Sequence, residues 1–244
     1  KDLEKFWMEK HNENIWGNKN ITFYDPAAGM GNYPIAIYYK LYEGLKESIP
    51  NDEERKKHII ENMLFMAELN KKNCFLIKQI FNINNEHKMN LYQGDSLELD
   101  INKEFNKSIF DIIIGNPPYN QELKKSGAKP LYNKFMNYYL DKGKYMTYII
   151  PSRWFAGGKG LDKFRKNMLD RKDFVFIKHF DDACSIFGNW VDIKGGVNYF
   201  LIDKSYNGLC DFNGSKMNLN KYDILVDNKY NNIIDKVRKL ESLN

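Results

Sequence analysis

Short apolar runs alternate along the chain with longer segments whose apolar residues recur at helical spacing. The first run covers residues 21–24 and stops at Asp25-Pro26, which predicts a buried strand that ends in a turn. The next segment repeats its apolar residues every three or four positions and predicts a helix. Continued along the chain, the pattern predicts strands at residues 21–24, 62–69, 110–114, 144–151, 174–180 and 197–203, a short strand that ends at Gly94-Asp95, and helices at residues 33–48, 49–61, 71–83, 130–143 and 161–171.

This alternation is typical of an α/β protein with a doubly wound, mostly parallel sheet. In such folds ligands bind beyond the carboxyl ends of the strands. The unusual residue groups of this chain follow the predicted strands directly, and they are residues 25–32, Glu68, Asp95 and residues 116–119. We therefore expect a functional site along that edge of the sheet.

Composition narrows the class of protein. The 244 residues are 43% hydrophobic and 28% charged, which excludes a disordered chain. The sequence has no apolar run of about 18 residues for a membrane span, and its first residues lack the apolar stretch of a signal peptide. Three cysteines far apart predict neither a disulfide framework nor a metal site, and we expect a cytoplasmic protein. The net charge of +5 agrees with a polyanionic partner but is too small to identify one.

The turn DPAAGMGN, residues 25–32, predicts a ligand site. Gly29 and Gly31 let the backbone approach a ligand where a side chain would clash. The turn lacks the GxGxxG of a dinucleotide site and the lysine of a phosphate loop, and Asp25 would repel a phosphate. Glu68 and Asp95 would accept hydrogen bonds from ribose hydroxyls and from an exocyclic amine. A nucleoside with a positive charge and no phosphate fits these residues and describes S-adenosylmethionine, whereas an ordinary turn beside solvated acids is the alternative.

The motif Asn-Pro-Pro-Tyr follows the predicted strand 110–114 directly. Two prolines fix the backbone and remove two N–H donors. The side chain of Asn116 and the carbonyl of Pro117 would then point the same way, and two acceptors aimed at one point suit an amino group. Tyr119 offers a flat face on which a planar base can stack. We predict that Asn116, Pro117 and Tyr119 are the catalytic residues, while a rigid turn after a strand is the structural alternative.

The two sites together resemble those of the N6-adenine DNA methyltransferases. The resemblance rests on DPAAGMGN, Glu68, the GDS of residues 94–96 and the NPPY of residues 116–119, and it extends from about residue 5 to residue 203. The segments IIPSRWFAGGKGLDKFR and VDIKGGVNYFLI look like those of type II and combined restriction–modification methylases. The resemblance implies a seven-stranded sheet of the S-adenosylmethionine-dependent type and an adenine flipped out of double-stranded DNA. The cofactor-binding residues that we predict are Asp25, Pro26, Ala27, Gly29, Gly31, Asn32, Glu68, Asp95 and Asn116.

The resemblance also suggests how the chain is divided. It implies a catalytic domain at residues 1–203 and the start of a target-recognition region at residues 204–244. A Thr-Pro segment that completes the cofactor pocket in this family is not found before Asp25, and we expect it upstream of Lys1. The region after residue 203 is shorter than a complete recognition domain. We therefore expect a truncated chain or a restriction or specificity partner.

Basic loops are candidates for contact with the DNA. Residues 124–130 form such a loop after the NPPY motif, and residues 151–165 combine arginine, lysine and tryptophan around glycines. A solvated loop with Trp154 packed inward is the alternative for the second segment. The residues predicted to bind DNA or the flipped base are Tyr119, Lys124, Lys125, Arg153, Trp154, Lys159 and Lys194.

The predicted function is transfer of a methyl group from S-adenosylmethionine to N6 of a DNA adenine. The same pair of acceptors would also serve an enzyme that methylates guanine in RNA or glutamine in a protein. A non-catalytic subunit of a restriction–modification complex is a third possibility. The chain lacks a Pro-Cys pair, which argues against the covalent chemistry of cytosine carbon-5 methylation.

Overall fold

The protein is described from a computed structural model that covers residues 1–123, 127–158, 160–188, 193–227 and 230–241. The chain divides into two compact units, residues 1–148 (unit 1) and residues 149–244 (unit 2). Strand β7 of the sheet crosses this boundary. The predicted division into residues 1–203 and 204–244 concerns function rather than packing, and it stays a prediction.

Unit 1 contains six α-helices, a 3₁₀ turn at Ile15–Gly17, a π-helical turn at Ile59–Met63 and seven strands among its described residues. The helices are α1 (Asp2–His11), α2 (Asn32–Gly44), α3 (Asp52–His58), α4 (Lys71–Phe81), α5 (Ile101–Phe105) and α6 (Tyr132–Tyr139). The strands are β1 (Phe23–Asp25), β2 (Leu64–Glu68), β3 (Asn90–Gln93), β4 (Phe110–Gly115), β5 (Asn120–Leu123), β6 (Gly127–Pro130) and β7 (Gly143–Pro151), whose last three residues belong to unit 2.

Five of these strands form the sheet of unit 1 in the order β7-β4-β1-β2-β3, and every neighbouring pair is parallel. The central strand β1 pairs Tyr24 with Phe65 of β2 and with Ile113 of β4. Because parallel strands run in one direction, the ends of these three strands at Asp25, Glu68 and Gly115 meet at the same edge. The sequence predicted this edge correctly from the points where the apolar runs stop.

The predicted α/β class with a large, mostly parallel sheet is confirmed, with two local corrections. Among the described residues, the sheet strands number five in unit 1 and four in unit 2, rather than the seven expected. The predicted loop at residues 124–130 is wrong at its end, since β5 and β6 form an antiparallel ribbon in which Asn120 pairs with Pro130. Lys124 and Lys125 lie outside the described residues.

An aromatic cluster fixes the central strands of unit 1. The ring of Tyr24 stacks on Phe110 with centroids 4.6 Å apart, and Phe65 packs against Phe110 at 5.1 Å. The hydroxyls of Tyr24 and Tyr139 lie 3.1 Å apart, and Tyr139 donates a hydrogen bond to the carbonyl of Ser96. Successive side chains of a strand point to opposite faces. Because Tyr24 faces this cluster, the side chain of Asp25 lies on the other face of the sheet.

Unit 2 contains the remaining elements. These are 3₁₀ turns at Ser152–Phe155 and Leu219–Lys221, the helices α7 (Asp162–Leu169), α8 (Cys184–Phe187) and α9 (Asn231–Glu241), and the strands β8 (Phe174–Phe180), β9 (Val197–Asp203), β10 (Cys210–Phe212) and β11 (Ser215–Met217). The strand order is β11-β10-β8-β9. β8 and β10 are parallel, and the other two pairs are antiparallel.

A buried amide joins β9 to the end of β7 and to the 3₁₀ turn that follows it. Asn198 of β9 is fully buried and donates hydrogen bonds to the carbonyl of Ile150 at 3.2 Å and to the hydroxyl of Ser152 at 3.1 Å. The amide of Ser152 donates to the carbonyl of Gly196 at 3.0 Å. Gly196 has φ 71°, and a Cβ there would lie 2.0 Å from the carbonyl oxygen of Phe180, so only glycine fits this turn. None of the described helices combines the length and apolarity that crossing a membrane requires.

Candidate functional site

A cavity of about 740 Å³ lies in unit 1 at the carboxyl ends of β1, β2 and β4. The predicted site residues that line it are Pro26, Ala27, Gly29, Glu68, Asp95 and Asn116. The structure therefore brings the glycine-rich turn, the strand-end acids and the first residue of the NPPY motif to one cavity. Asp25, Gly31, Asn32, Pro117 and Tyr119 belong to the same segments but are not among the lining residues.

The glycine-rich turn has a backbone that suits its composition. Gly29 and Gly31 have φ values of 57° and 91°, a region that side chains with a Cβ rarely adopt. Gly31 is the N-cap of α2, which Asn32 begins, and it makes no side-chain capping bond. The turn is closed by a hydrogen bond from the amide of Gly31 to the carbonyl of Ala28 at 2.8 Å.

Glu68 holds this turn in place. Its Oε2 accepts a hydrogen bond from the amide of Gly29 at 2.8 Å, across 39 positions of sequence. Its Oε1 accepts from the amide of Asn70 at 2.8 Å and from the side chain of Asn73 at 3.2 Å. Three of about four acceptor positions of the carboxylate are thus filled by protein. Glu68 therefore shapes the turn, a role that the sequence did not predict, and its contact with a ribose stays a prediction.

Asp25 is a buried carboxylic acid beside the cavity. Its side chain is 3% exposed, and its Oδ1 accepts a hydrogen bond from the amide of Ala27 at 3.0 Å. Burial raises the pKa of Asp25 to about 7; the Ala27 hydrogen bond opposes the rise, and the negative charge of Glu68 adds to it. A positive charge placed nearby would favour the ionised carboxylate, so this residue is suited to a cationic ligand.

Gly115 allows Asp25 to occupy this position. A Cβ built on Gly115, the last residue of β4, would lie 2.7 Å from Oδ1 of Asp25 and 3.2 Å from its carboxyl carbon. The missing side chain therefore lets a buried carboxyl pack directly against the backbone that precedes Asn116. The glycine at position 115 thus allows the end of β1 to pack closely against the start of the NPPY motif.

The sequence predicts that this site binds S-adenosylmethionine, and we expect Gly115→Ala to weaken that binding about tenfold or more, because the added methyl displaces the carboxyl of Asp25. The measurement is titration calorimetry with S-adenosylmethionine. In an Asp25→Ala background the carboxyl is absent, so Gly115→Ala should cause little further loss of affinity. Equal losses in the two backgrounds would mean that Gly115 acts through the strand rather than through Asp25.

The NPPY motif begins where β4 ends. Oδ1 of Asn116 is buried and has no hydrogen-bond partner among the described residues, although buried polar atoms are nearly always paired. Pro117 is buried, and Pro118 is exposed and lines the cavity. Burial of Tyr119 raises its pKa above the usual range, the neighbouring Tyr33 adds to the rise, and a side-chain hydrogen bond with Asn116 opposes it. The phenol is therefore neutral at physiological pH, and Oδ1 of Asn116 can accept a hydrogen bond that no described residue donates.

The walls of the cavity include apolar residues that the sequence analysis missed. Leu69 and Leu97 follow the strand-end acids closely, and Leu131 and Phe135 lie at the start of α6. Together they supply the flat apolar surfaces that a purine ring requires. Only their positions in the sequence mark them. The two leucines follow Glu68 and Asp95 by one and two residues, and the other two residues lie one turn apart at the start of a helix.

The residues predicted to contact DNA differ in their exposure to solvent. Arg153 and Lys194 are exposed, and both line a second groove, which lies in unit 2. The prediction for Trp154 is wrong, because its side chain is fully buried against Phe155 and Phe164 and cannot reach a substrate. Lys159 lies outside the described residues.

Comparison with known proteins gives one family match. The model of a family described as Eco57I restriction-modification methylase matches residues 7–187. An uncharacterized adenine-specific methylase of Mycoplasma pneumoniae (strain ATCC 29342 / M129 / Subtype 1) is 24% identical over 282 residues, which cover 84% of this chain and 65% of that protein. The chain thus spans less than two thirds of that curated relative.

Solved structures share the fold at low sequence identity. The methyltransferase subunit of a type I restriction-modification system from Streptococcus thermophilus has a TM-score of 0.56 and 15% identity, over 96% of this chain and 50% of that one. DrdV, solved in complex with DNA, has a TM-score of 0.65 and 14% identity, over 88% of this chain and 26% of that one. Both similarities concern the fold, and this chain covers half or less of each of these proteins.

Proposed function

Because this chain belongs to the Eco57I restriction-modification methylase family, we propose that it transfers a methyl group from S-adenosylmethionine to N6 of an adenine in double-stranded DNA. The observation that carries the proposal is the unpaired, buried Oδ1 of Asn116 at a cavity shared with the glycine-rich turn. An acceptor without a partner is costly inside a protein, so it is expected where a ligand supplies the donor.

The residues of the cavity fit the cofactor. The turn at Gly29 leaves room for a ligand, because a Cβ at this position would meet nothing within 4 Å. We assign the purine to the apolar walls, the polar edges of the nucleoside to Glu68 and Asp95, and the positive charge to Asp25. The Asp25 carboxyl ionises most readily beside a cation, since its pKa in the free protein is about 7. When bound, S-adenosylmethionine supplies a methyl group on a positively charged sulfur.

The NPPY motif would hold the acceptor base. An adenine inside a duplex cannot bring N6 to a cavity in a protein, so it must be rotated out of the stack at a cost of about a few kcal/mol. The ring of Tyr119 would recover part of this cost by stacking. Asn116 Oδ1 and the carbonyl of Pro117 would accept the two N6 hydrogens.

The same two acceptors would accelerate the transfer. The N6 lone pair is delocalised into the adenine ring, and hydrogen bonds from both amino hydrogens favour a pyramidal nitrogen with a localised pair. These bonds strengthen as N6 forms its bond to carbon and becomes positive, which stabilises the transition state more than the ground state. One of the N6 protons then leaves to solvent. The remaining contribution is alignment of the two reactants.

The partners that we propose are double-stranded DNA and a restriction or specificity component. The proposal is supported by relatives that form part of a type I system or were solved with DNA.

Tritium transfer from labelled S-adenosylmethionine tests the proposal. Mixed-sequence duplex DNA, ribosomal RNA and a release-factor protein would be offered in parallel, with Asn116→Ala as the inactive control. We expect label in the DNA, recovered as N6-methyladenine after digestion. Label in RNA guanine or in protein glutamine would keep the chemistry and overturn the substrate. Bound cofactor with no transfer to any of the three would favour a non-catalytic subunit.

A further inference from the structure

Unit 2 contains a groove of about 690 Å³ that the proposed methyl transfer does not use. Its walls come from the segments at residues 152–158, 179–181, 194–195, 212–213 and 225–227, and from Tyr230. Two of these segments carry the basic residues Arg153 and Lys194, which the sequence analysis singled out. A cavity of this size, with an apolar floor and a few polar groups, has the features of a ligand site.

Hydrogen bonds hold the walls of this groove in fixed positions. The amide of His179 donates to Oδ1 of Asn213 at 2.8 Å, and the amide of Leu225 donates to the carbonyl of Phe155 at 2.8 Å. The bond between Ser152 and Gly196, described above, fixes the segment that carries Arg153. The groove is therefore formed before any ligand binds, which lowers the entropic cost of binding.

The floor of the groove is aromatic. Phe155 and Phe212 are buried, and they flank His179, whose ring centroid lies 5.0 Å from that of Phe155 and 6.5 Å from that of Phe212. The ring planes of His179 and Phe212 are within 16° of each other. A floor of this kind suits a planar ring, whereas a phosphate gains nothing from it.

The rim of the groove combines donors with acceptors. Arg153 and Lys194 are exposed, and neither side chain forms an ion pair or hydrogen bond with any described residue. Asp181 and Asp227 lie on the same rim. Two acids beside two cations leave little net charge for holding a bare phosphate. The edge of a base, by contrast, presents donors and acceptors together and uses both kinds of group.

We infer that this groove reads the edge of a base in the DNA and makes unit 2 a determinant of sequence specificity. The inference rests on the proposed function, since it takes DNA as the substrate. Arg153 is the specificity-determining residue, because a guanidinium donates two parallel hydrogen bonds to the O6 and N7 of guanine. Asp181 and Asp227 would accept from an amino group on a neighbouring base.

Selection of DNA from a random-sequence duplex library tests this inference. The full chain with S-adenosylhomocysteine would be used as wild type, Arg153→Ala, Arg153→Lys and Lys166→Ala, in which an exposed lysine on α7 outside the groove is removed. We expect wild type and Lys166→Ala to enrich a base at the same positions. Arg153→Ala and Arg153→Lys should both lose about tenfold or more of the discrimination at one position, since lysine keeps the charge but not the paired donors.

Other outcomes overturn the inference. Weakening of all sequences alike by Arg153→Ala, with full rescue by Arg153→Lys, would identify a phosphate contact instead. An unchanged base preference in both variants, or no preference in wild type, would exclude base reading by this groove. Titration with S-adenosylmethionine in the same preparations separates this result from the proposed function. Failure of cofactor binding or of methyl transfer contradicts that function, whereas loss of discrimination with both intact concerns the groove alone.

Discussion

Asn116→Ala is expected to lower the single-turnover rate of methyl transfer by about a hundredfold to a thousandfold, the loss typical when one transition-state hydrogen bond is removed. Oδ1 of Asn116 is buried and has no partner among the described residues, so its removal breaks no hydrogen bond that this oxygen accepts. The side-chain hydrogen bond between Asn116 and Tyr119 is lost as well. Affinity for S-adenosylmethionine should change by less than about threefold, because the turn at Gly29 and the Glu68 carboxylate are untouched. Quench-flow measurement of labelled DNA gives the rate, and titration calorimetry gives the affinity.

Two further variants separate the acceptor from the rest of the side chain. Asn116→Asp keeps Oδ1 as an acceptor and should retain more activity than Asn116→Ala. Asn167→Ala removes an exposed asparagine of α7 and should leave the rate unchanged. Full activity in Asn116→Ala would mean that the buried acceptor does not hold the amino group. An equal loss of rate and of cofactor affinity would assign Asn116 to the cofactor instead.

The position of this site was predictable because strand ends leave a strong signal in the sequence. The apolar run of residues 21–24 stops at an acid and a proline, and the run before Gly115 stops at NPPY. In a parallel sheet such stops must meet at one edge, and the register of β1 with β2 and β4 brings them together. A local pattern therefore predicted a tertiary arrangement.

The contacts made by these residues were not predictable, because they depend on side chains far apart in the sequence. Glu68 has the sequence position of a ribose acceptor, yet it also accepts from the amide of Gly29, 39 residues earlier. Trp154 follows an arginine and precedes several glycines, which suggests an exposed loop. It is buried because Phe164 of α7 packs against it. Packing partners of this kind have no signature in one sequence.

The ribbon of β5 and β6 was missed for a different reason. Residues 120–130, NQELKKSGAKP, have little alternation of apolar and polar positions, so they are typical of a loop. Their pairing depends on backbone hydrogen bonds, and it is closed by a bond from the amide of Leu131 to the carbonyl of Tyr119 at 2.9 Å. Pairing that depends on backbone hydrogen bonds leaves no hydrophobic pattern in the sequence.

Asp25→Asn is expected to stabilise the free protein and at the same time to weaken cofactor binding. The carboxyl is buried, and its pKa rises from 3.8 to about 7 in the folded chain. Between these pH values the folded state holds a proton that the unfolded state has lost, so the free energy of unfolding falls as pH rises. The protonated carboxyl thus contributes stability that is fully present below about pH 4 and lost above about pH 7. Asparagine avoids this loss, on the order of 4 kcal/mol at pH 8.

Urea unfolding at pH 5 and pH 8 measures this effect. The stability advantage of Asp25→Asn over wild type should be larger at pH 8 than at pH 5. Because the two proteins share all other titratable groups, the effect of those groups on stability cancels when the proteins are compared. Asparagine keeps the Oδ1 acceptor for the amide of Ala27, so the turn is preserved. Asp170→Asn, at an exposed position, should show no such dependence on pH.

The same carboxylate should make cofactor affinity depend on pH. If the cationic cofactor binds the ionised form, wild-type affinity for S-adenosylmethionine should rise by up to about tenfold per pH unit from pH 5.5 to pH 7 and level off above it. Asp25→Asn should bind about a hundredfold more weakly at pH 8, with no such dependence. S-adenosylhomocysteine, which lacks the positive sulfur, should show a smaller pH effect in wild type. A variant that is more stable at pH 8 but binds S-adenosylmethionine as tightly as wild type would contradict the role of Asp25. Such a result would mean that the buried carboxylate destabilises the fold without contributing to binding. Stability and affinity must therefore be measured on the same protein.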